Sequence, residues 1–171
     1  MIGNKMIEIK RLSKEHHQQF KLINAKIRKA IVNQKWFMPF SEENINNMFN
    51  EGSTLVVFGA FIDGDLGAVS LFDANNDEFA EMAKTVGYCE KIGAELGGSM
   101  VLPEYRGKNL MLEINYALIN EARKMGIEYF IATAHPDNVA SNSSLKKLGM
   151  VYKTTLVRAG GYERNVYVLD L

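Results

Sequence analysis

The segment from residue 93 to the end of the chain constrains the fold most, because extended and helical patterns alternate along it. The run before Pro103 and "YFIATA" both read as strands. Between them Met111, Ile114, Leu118, Ala122 and Met125 recur on one helical face. A shorter helix, "NVASNSSLKKLG", stops at Gly149. "VYKTTLVRA" and "ERNVYVLDL" then read as closing strands around "GGY". Strand, helix, strand, helix, strand implies a mixed sheet with helices on both faces.

The first half supplies compatible pieces. "MIEIKRL" alternates as a short strand, and Phe20, Ile23, Ile27 and Ile31 mark a helix from Ser13 to Val32 with Ser13 as its N-cap. "SEENINNMF" opens a second, short helix, with Asn44 standing where a capping-box glutamate would. "STLVVFGAFIDGDLGAVSLFDA" is two β-rich runs joined by the hairpin signal "DGD". Residues 74–92 fit either a helix through "DEFAEMAKTV" or a mobile polar loop. With 171 residues and no repeat or low-complexity stretch, residues 1–171 are expected to form one domain.

The charge balance narrows the function. Twenty basic residues meet twenty acidic ones, which argues against non-specific nucleic-acid binding. Residues 5–35 nevertheless hold nine Lys or Arg against two Glu, and residues 73–95 hold six acids against Lys84 and Lys91, as two differently charged solvated faces would. The lone Cys89, beside Glu90, excludes an internal disulfide framework and reads as an incidental thiol. No run is apolar enough to span a membrane, and "MIGNKMIEIKR" lacks a signal-peptide core, so the expected location is the cytoplasm.

Chemistry concentrates in "PEYRGKNLM", residues 103–111. Pro103 holds the residue before it extended and so ends the strand. Gly107 lets the backbone approach a ligand, while Arg106 and Lys108 add positive charge where a helix begins. Unpaired N–H groups and charge at a helix terminus suit a pyrophosphate, although an exposed turn with two cations is also common. The stretch is neither a P-loop nor a dinucleotide fingerprint.

A second motif, "HPDNVASNSSLKKLGM" (135–150), places Asn138 eleven residues before Gly149. Together the two resemble the GNAT superfamily of acyl-CoA-dependent N-acetyltransferases. There "V-x-P-x-Y-R-G-x-G-x-G/A" binds the CoA pyrophosphate, and "N-x-x-[AS]-x-x-[LF]-Y-x-K-x-G-F" follows. Here the first reads V-L-P-E-Y-R-G-K-N-L-M from Val101, and the second N-V-A-S-N-S-S-L-K-K-L-G-M from Asn138. The resemblance implies an α/β (α+β) fold with a mixed, mostly antiparallel central sheet of about seven strands and helices on both faces. It also implies acetyl-CoA as co-substrate, an amine acceptor, and no metal. By position, Arg106, Gly107, Lys108, Asn109, Leu110 and Met111 would line the pyrophosphate loop. Val101 would pair its backbone with the pantetheine arm, which Asn138 and Ser141 would face from the last helix. Asn138 also reads as an N-cap, and Lys147 as a solvated lysine rather than a 3′-phosphate ligand.

Three departures stand out. Asn109 replaces a glycine and tolerates left-handed backbone. Met111 replaces Gly or Ala and narrows the space below the phosphates. Leu145 stands where many members carry the tyrosine that protonates the leaving thiolate, so acid assistance of about 10²-fold would be absent. "GGYERNVYVLDL" is similar to a branch in which G-G-x-x-R opens the final strand. Glu95, eight residues before Pro103, matches a position where the family often keeps a glutamate. Beside apolar Leu96 and Ile92, it is the expected general base, directly or through water; the alternatives are a carboxylate that faces solvent at a strand start or that binds the substrate cation without moving a proton. Trp36 and Phe37, with Phe40, either border the acceptor site or cover the core. His135 either touches the active-site mouth at a strand end or, as the preferred reading, flanks the last helix at the surface. The principal expectation is acetyl transfer to a primary amine; the alternative is a non-catalytic acyl-CoA sensor.

Overall fold

The computed structural model describes residues 6–74, 77–158 and 160–171. Residues 1–5, Asn75 and Asn76 of the ambiguous polar stretch, and Ala159 at the end of "VYKTTLVRA" lie outside the described residues. The elements run β1 (Ile7–Arg11), α1 (His17–Ala30), α2 (Glu42–Met48), β2 (Leu55–Ile62), β3 (Asp65–Asp73), α3 (Asp77–Thr85), β4 (Gly93–Val101), α4 (Leu110–Lys124), β5 (Tyr129–Ala134), α5 (Val139–Lys147), β6 (Val151–Arg158) and β7 (Tyr162–Asp170). They build a seven-stranded sheet in the order β1-β2-β3-β4-β5-β7-β6. Every neighbouring pair is antiparallel except β4 and β5.

Local chemistry explains most boundaries. Ser41 Oγ accepts the Asn44 N–H at 3.0 Å while Asn44 Oδ1 accepts the Ser41 N–H at 3.2 Å, a reciprocal cap with asparagine in place of glutamate. Asp63 and Gly64 take consecutive left-handed conformations (φ 52° and 91°), as a two-residue hairpin between β2 and β3 requires. Three expectations shift. Ser13 caps a 3-10 turn (Lys14–His16) that leads into α1. "DEFAEMAKT" is helix α3. Met125 lies just past α4 and is 49% exposed, because the apolar face ends at Ala122.

Alternation along the strands sends side chains to opposite faces. Val56, Ala60, Phe72, Leu96, Phe130 and Ala132 pack under α4 with Ile114 and Leu118. Val57, Phe61, Val69, Leu71 and Met100 meet Phe20, Ile23 and Ile27 of α1. Tyr129, Ile131, Val166 and Val168 pack with Met82 and Ala83 of α3. Helices thus cover both faces of the sheet.

Strand β4 is irregular. Val69 pairs with Met100 and Leu71 with Gly97, so β4 carries one more residue than β3 across this step, a bulge. Gly98 sits in it at φ +60°, where an added Cβ would lie 2.9 Å from both Leu71 and the Phe40 ring. Buried Ser70 braces the bulge from β3, 3.3 Å from the Gly97 carbonyl and 3.1 Å from Ser99 Oγ. The parallel pairing of β4 with β5 ends just before it, at Leu96–Ala132. The sheet therefore opens between these two strands.

The segment between α1 and α2 is tied over the bulge by one buried side chain. Asn24 donates from Nδ2 to the Phe40 carbonyl (2.8 Å) and accepts the Phe40 N–H on Oδ1 (3.1 Å). Asn24→Ala strands both backbone groups and should destabilise by about 1–3 kcal/mol. For a chain of this size that corresponds to a fall in Tm of roughly 3–10 °C in a thermal melt. A Tm equal to the parent's would show that aromatic packing alone holds the segment.

Candidate functional site

The loop leading into α4 has the conformation that "PEYRGKNLM" suggests. Gly107 is left-handed (φ 73°), and so is Asn109 (φ 58°, ψ 12°), which immediately precedes Leu110. Leu112 and Glu113 N–H both return to the Asn109 carbonyl. Among the described residues, the N–H groups of residues 107–111 have no backbone acceptor. They form a set of donors at the positive end of a fifteen-residue helix. Lys108 is exposed beside them, Met111 is half-buried, and Leu110 is buried in the core, so Leu110 offers this loop its backbone only.

Two side chains hold the loop. Arg106 donates from Nε to the Val101 carbonyl at 3.3 Å, linking it to the end of β4. Lys147 Nζ donates to Asn109 Oδ1 at 2.6 Å. Lys147 is thus not simply a solvated lysine: from the last turn of α5 it grips the left-handed residue that starts α4. An asparagine in place of the glycine gives the lysine something to hold.

On the opposite side of the opening, Asn138 caps α5, its Oδ1 accepting the Ser141 N–H at 3.1 Å. Asn142, which the sequence reading passed over, is the hub here. Its Nδ2 donates to the carbonyls of His135 (2.9 Å) and Asn138 (2.8 Å), and its Oδ1 accepts from Asn165 (2.9 Å) and the Tyr167 hydroxyl (2.7 Å). The i, i+4 repeat of asparagine in "NVASN" was the available clue. Leu145 is buried against the α4 core, a site for packing rather than proton transfer. His135 is mostly covered, with its side chain only 12% exposed, and its Nδ1 accepts the Asp137 N–H at 3.2 Å; the surface placement expected for it does not hold.

Beside the bulge lies a cavity of about 470 Å³ whose lining includes Trp36, Phe37, Phe40, Glu95, Arg158 and Arg164. The sequence singled out Trp36, Phe37 and Glu95 separately, and the fold brings them to one hollow. The apolar surroundings expected for Glu95 are only half present. Leu96 is buried but Ile92 is 63% exposed, and the nearest charged group is a guanidinium. Arg158 Nη1 lies 2.5 Å from Glu95 Oε1, and Nη2 lies 2.6 Å from Glu78 Oε2. Burial works against the charge on Arg158, but the hydrogen bonds and charges of Glu95 and then Glu78 outweigh it, and its pKa rises above the ordinary arginine value. Arg158, at the end of β6, was not foreseen, because nothing in "TTLVRA" marks which strand it will face.

Solved structures of the same fold come from several sources. An N-acetyltransferase from Staphylococcus aureus Mu50 superposes with a TM-score of 0.73 at 16% identity, over 96% of this chain and 97% of that one. The Salmonella typhimurium acetyltransferase that modifies the N-terminal serine of ribosomal protein L7/L12 gives 0.71 at 17% identity, over 96% and 95%. A putative acetyltransferase from Salmonella typhimurium, solved with its cofactor acetyl-CoA, gives 0.68 at 19% identity, over 96% and 93%. No curated protein matches the chain by sequence. A family model described as "Acetyltransferase (GNAT) domain" matches residues 8–151.

The loop geometry makes a test of how the anion is held. A Cβ on Gly107 would meet nothing within 4 Å, so the protein itself leaves room; the positive φ and the space a ligand needs penalise a side chain. Gly107→Val should therefore weaken CoA binding more than Arg106→Ala, which removes one exposed, screened charge and its bond to the Val101 carbonyl. Calorimetric titration of both variants with CoA decides it. A much larger loss for Arg106→Ala would mean that side chains, not backbone donors, carry the phosphate.

Proposed function

This chain belongs to the GNAT acetyltransferase family, and from that premise we propose that it moves an acetyl group from acetyl-CoA to the primary amine of a small molecule or peptide. The family makes it an acyltransferase that uses acetyl-CoA; the acceptor and the residue roles are the proposal. The observation that supports it best is the coincidence of three features at the gap between β4 and β5. These are the N–H groups of residues 107–111, the end of β4 beyond its last pairing with β5, and a cavity containing Glu95. The set fits CoA chemically. Residues 106–111 would hold the pyrophosphate, the Val101 backbone would meet the pantetheine amide, and Asn138 and Ser141 would face that arm from α5. When bound, acetyl-CoA supplies an acetyl thioester.

The chain's own residues then have two tasks. An alkylammonium with a pKa near ~10.4 is almost wholly protonated at neutral pH, so a base has to free its lone pair. Glu95 takes that proton, directly or through a water. The amine nitrogen bonds to the acetyl carbon, the carbon–sulfur bond breaks, and the electron pair leaves on the CoA sulfur. A thiol pKa near ~8.5 makes this a tolerable leaving group with no acid at Leu145. Backbone N–H groups of the bulge stabilise the charge that develops on the carbonyl oxygen. Arg158 holds Glu95 in place, reaching Oε1 at 2.5 Å and Oε2 at 3.4 Å. Two of the structural neighbours are named for protein substrates: one modifies the N-terminal serine of ribosomal protein L7/L12, and the other is a ribosomal-protein-S18-alanine N-acetyltransferase from Escherichia coli.

Acetyl-CoA at a hundredfold above its Kd should stabilise the fold by ~2.7 kcal/mol, whereas acetate should not. Melts that fail to move at millimolar acetyl-CoA sink the assignment. Turnover with any amine rules out a sensor that binds without reacting. For Glu95→Gln we expect kcat/KM to fall about 10²-fold or more, with loss of the acidic limb of the pH profile. Near-parent turnover with that limb intact would remove Glu95 as the base.

A further inference from the structure

The cavity has a second pole, built from the "GGYER" motif that the reaction itself does not use. Arg164, on β7, lines the cavity and is half-buried. Its Nη2 donates to the Lys35 carbonyl at 2.9 Å and its Nη1 to the Glu163 carbonyl at 3.0 Å. The guanidinium also sits 5.6 Å from the Tyr162 ring centroid. Among the described residues Arg164 has no carboxylate partner, unlike Arg158, which has two. Burial, and then repulsion from Arg158, lower the pKa of Arg164 below the ordinary arginine value, the signature of a cation lacking its counter-charge.

A second donor stands beside it. Trp36 lines the same cavity, and its indole N–H is buried with no acceptor among the described residues. A buried N–H of this kind normally has a partner. Trp36 directly follows Lys35, whose carbonyl Arg164 grips, so the unsatisfied indole N–H and the guanidinium belong to neighbouring positions of the lining. Asp73, Glu78 and Glu95 supply the negative charge in the cavity's lining.

Resting on the acetyltransferase reading above, we propose that the acceptor is a small amine that also carries a carboxylate. The carboxylate is held by Arg164 and the Trp36 indole N–H, while the amine lies toward Glu95 and the bulge. A single guanidinium without a counter-ion matches the single negative charge of a carboxylate. A phosphate would bring up to two charges, and Arg158 is already engaged by two carboxylates. Planar guanidinium donors also suit a planar carboxylate. The cavity, at about 470 Å³, matches a small molecule rather than a folded partner. Arg164 and Trp36 are specificity-determining residues in this scheme.

The test uses the full chain with acetyl-CoA and a CoA-release assay over the standard amino acids, their carboxamides, phosphoethanolamine and spermidine. At least one amino acid should exceed its carboxamide by about tenfold or more in kcat/KM. In R164Q that ratio should collapse toward one, and R164K should restore part of it. W36F, which keeps the aromatic bulk, should lower the same ratio by a smaller factor. The inference is overturned if acids and amides react equally in the parent, or if spermidine or phosphoethanolamine is preferred. It is overturned equally if R164Q and W36F, checked for folding by their melts, leave the ratio unchanged. A protein that binds acetyl-CoA in a melt yet acetylates none of the carboxylate-bearing amines also overturns it. Absence of acetyl-CoA binding instead overturns the reading beneath it.

Discussion

One extra residue in β4 shapes the functional side of the molecule. Across Gly97–Met100 the strand is one residue longer than its β3 partner, and it stops pairing with β5 at Leu96. Beyond Leu96, a regular parallel pair no longer consumes the backbone groups on that edge of β4. The bulge is held from both faces: Ser70 braces it within the sheet, and the Phe40 ring packs where a side chain at Gly98 would stand. An alanine at 98 would pay for both the positive φ and the collision, so the opening is specified by a residue without a side chain.

Phe40 also transmits the position of the cavity wall. Asn24 fixes its backbone from α1, and Phe20 and Phe37 pack against its ring with centroids 5.6 and 6.3 Å away. The segment carrying Trp36 and Phe37 is therefore both core cover and cavity wall. Arg164 ties its start to β7 through the Lys35 carbonyl. The two readings of these aromatics were never exclusive, because covering the core on one side leaves the other side free to face a substrate.

Charge is distributed with similar economy. Arg158 joins Glu95 of β4 to Glu78 of α3, so a helix of ambiguous sequence is pinned to the site by an ion-pair triad. Each pair is partly exposed, and its value lies less in stability than in orienting the carboxylate. Arg164, a few residues along the chain, has no carboxylate partner among the described residues and instead holds the Lys35 and Glu163 carbonyls. Two arginines on adjacent strands thus come to play different parts through their neighbours alone.

The order of strands and helices outside residues 74–92, the reciprocal Ser41–Asn44 cap, the left-handed Asn109 and the donor-rich loop at 106–111 were all legible in the sequence, because each depends on residues within a few positions of one another. The family resemblance was legible for the same reason, as two local motifs at fixed spacing. The pairing of Glu95 with Arg158, the tie of Asn142 to Asn165, the grip of Lys147 on Asn109 and the bond from Arg164 to the Lys35 carbonyl were not. These contacts join residues 23 to 129 positions apart, and which side chains meet depends on β7 entering the sheet between β5 and β6 and on a bulge that shifts register by one residue. Because side chains alternate across a strand, such a shift changes which face each one takes, and only the folded sheet fixes it.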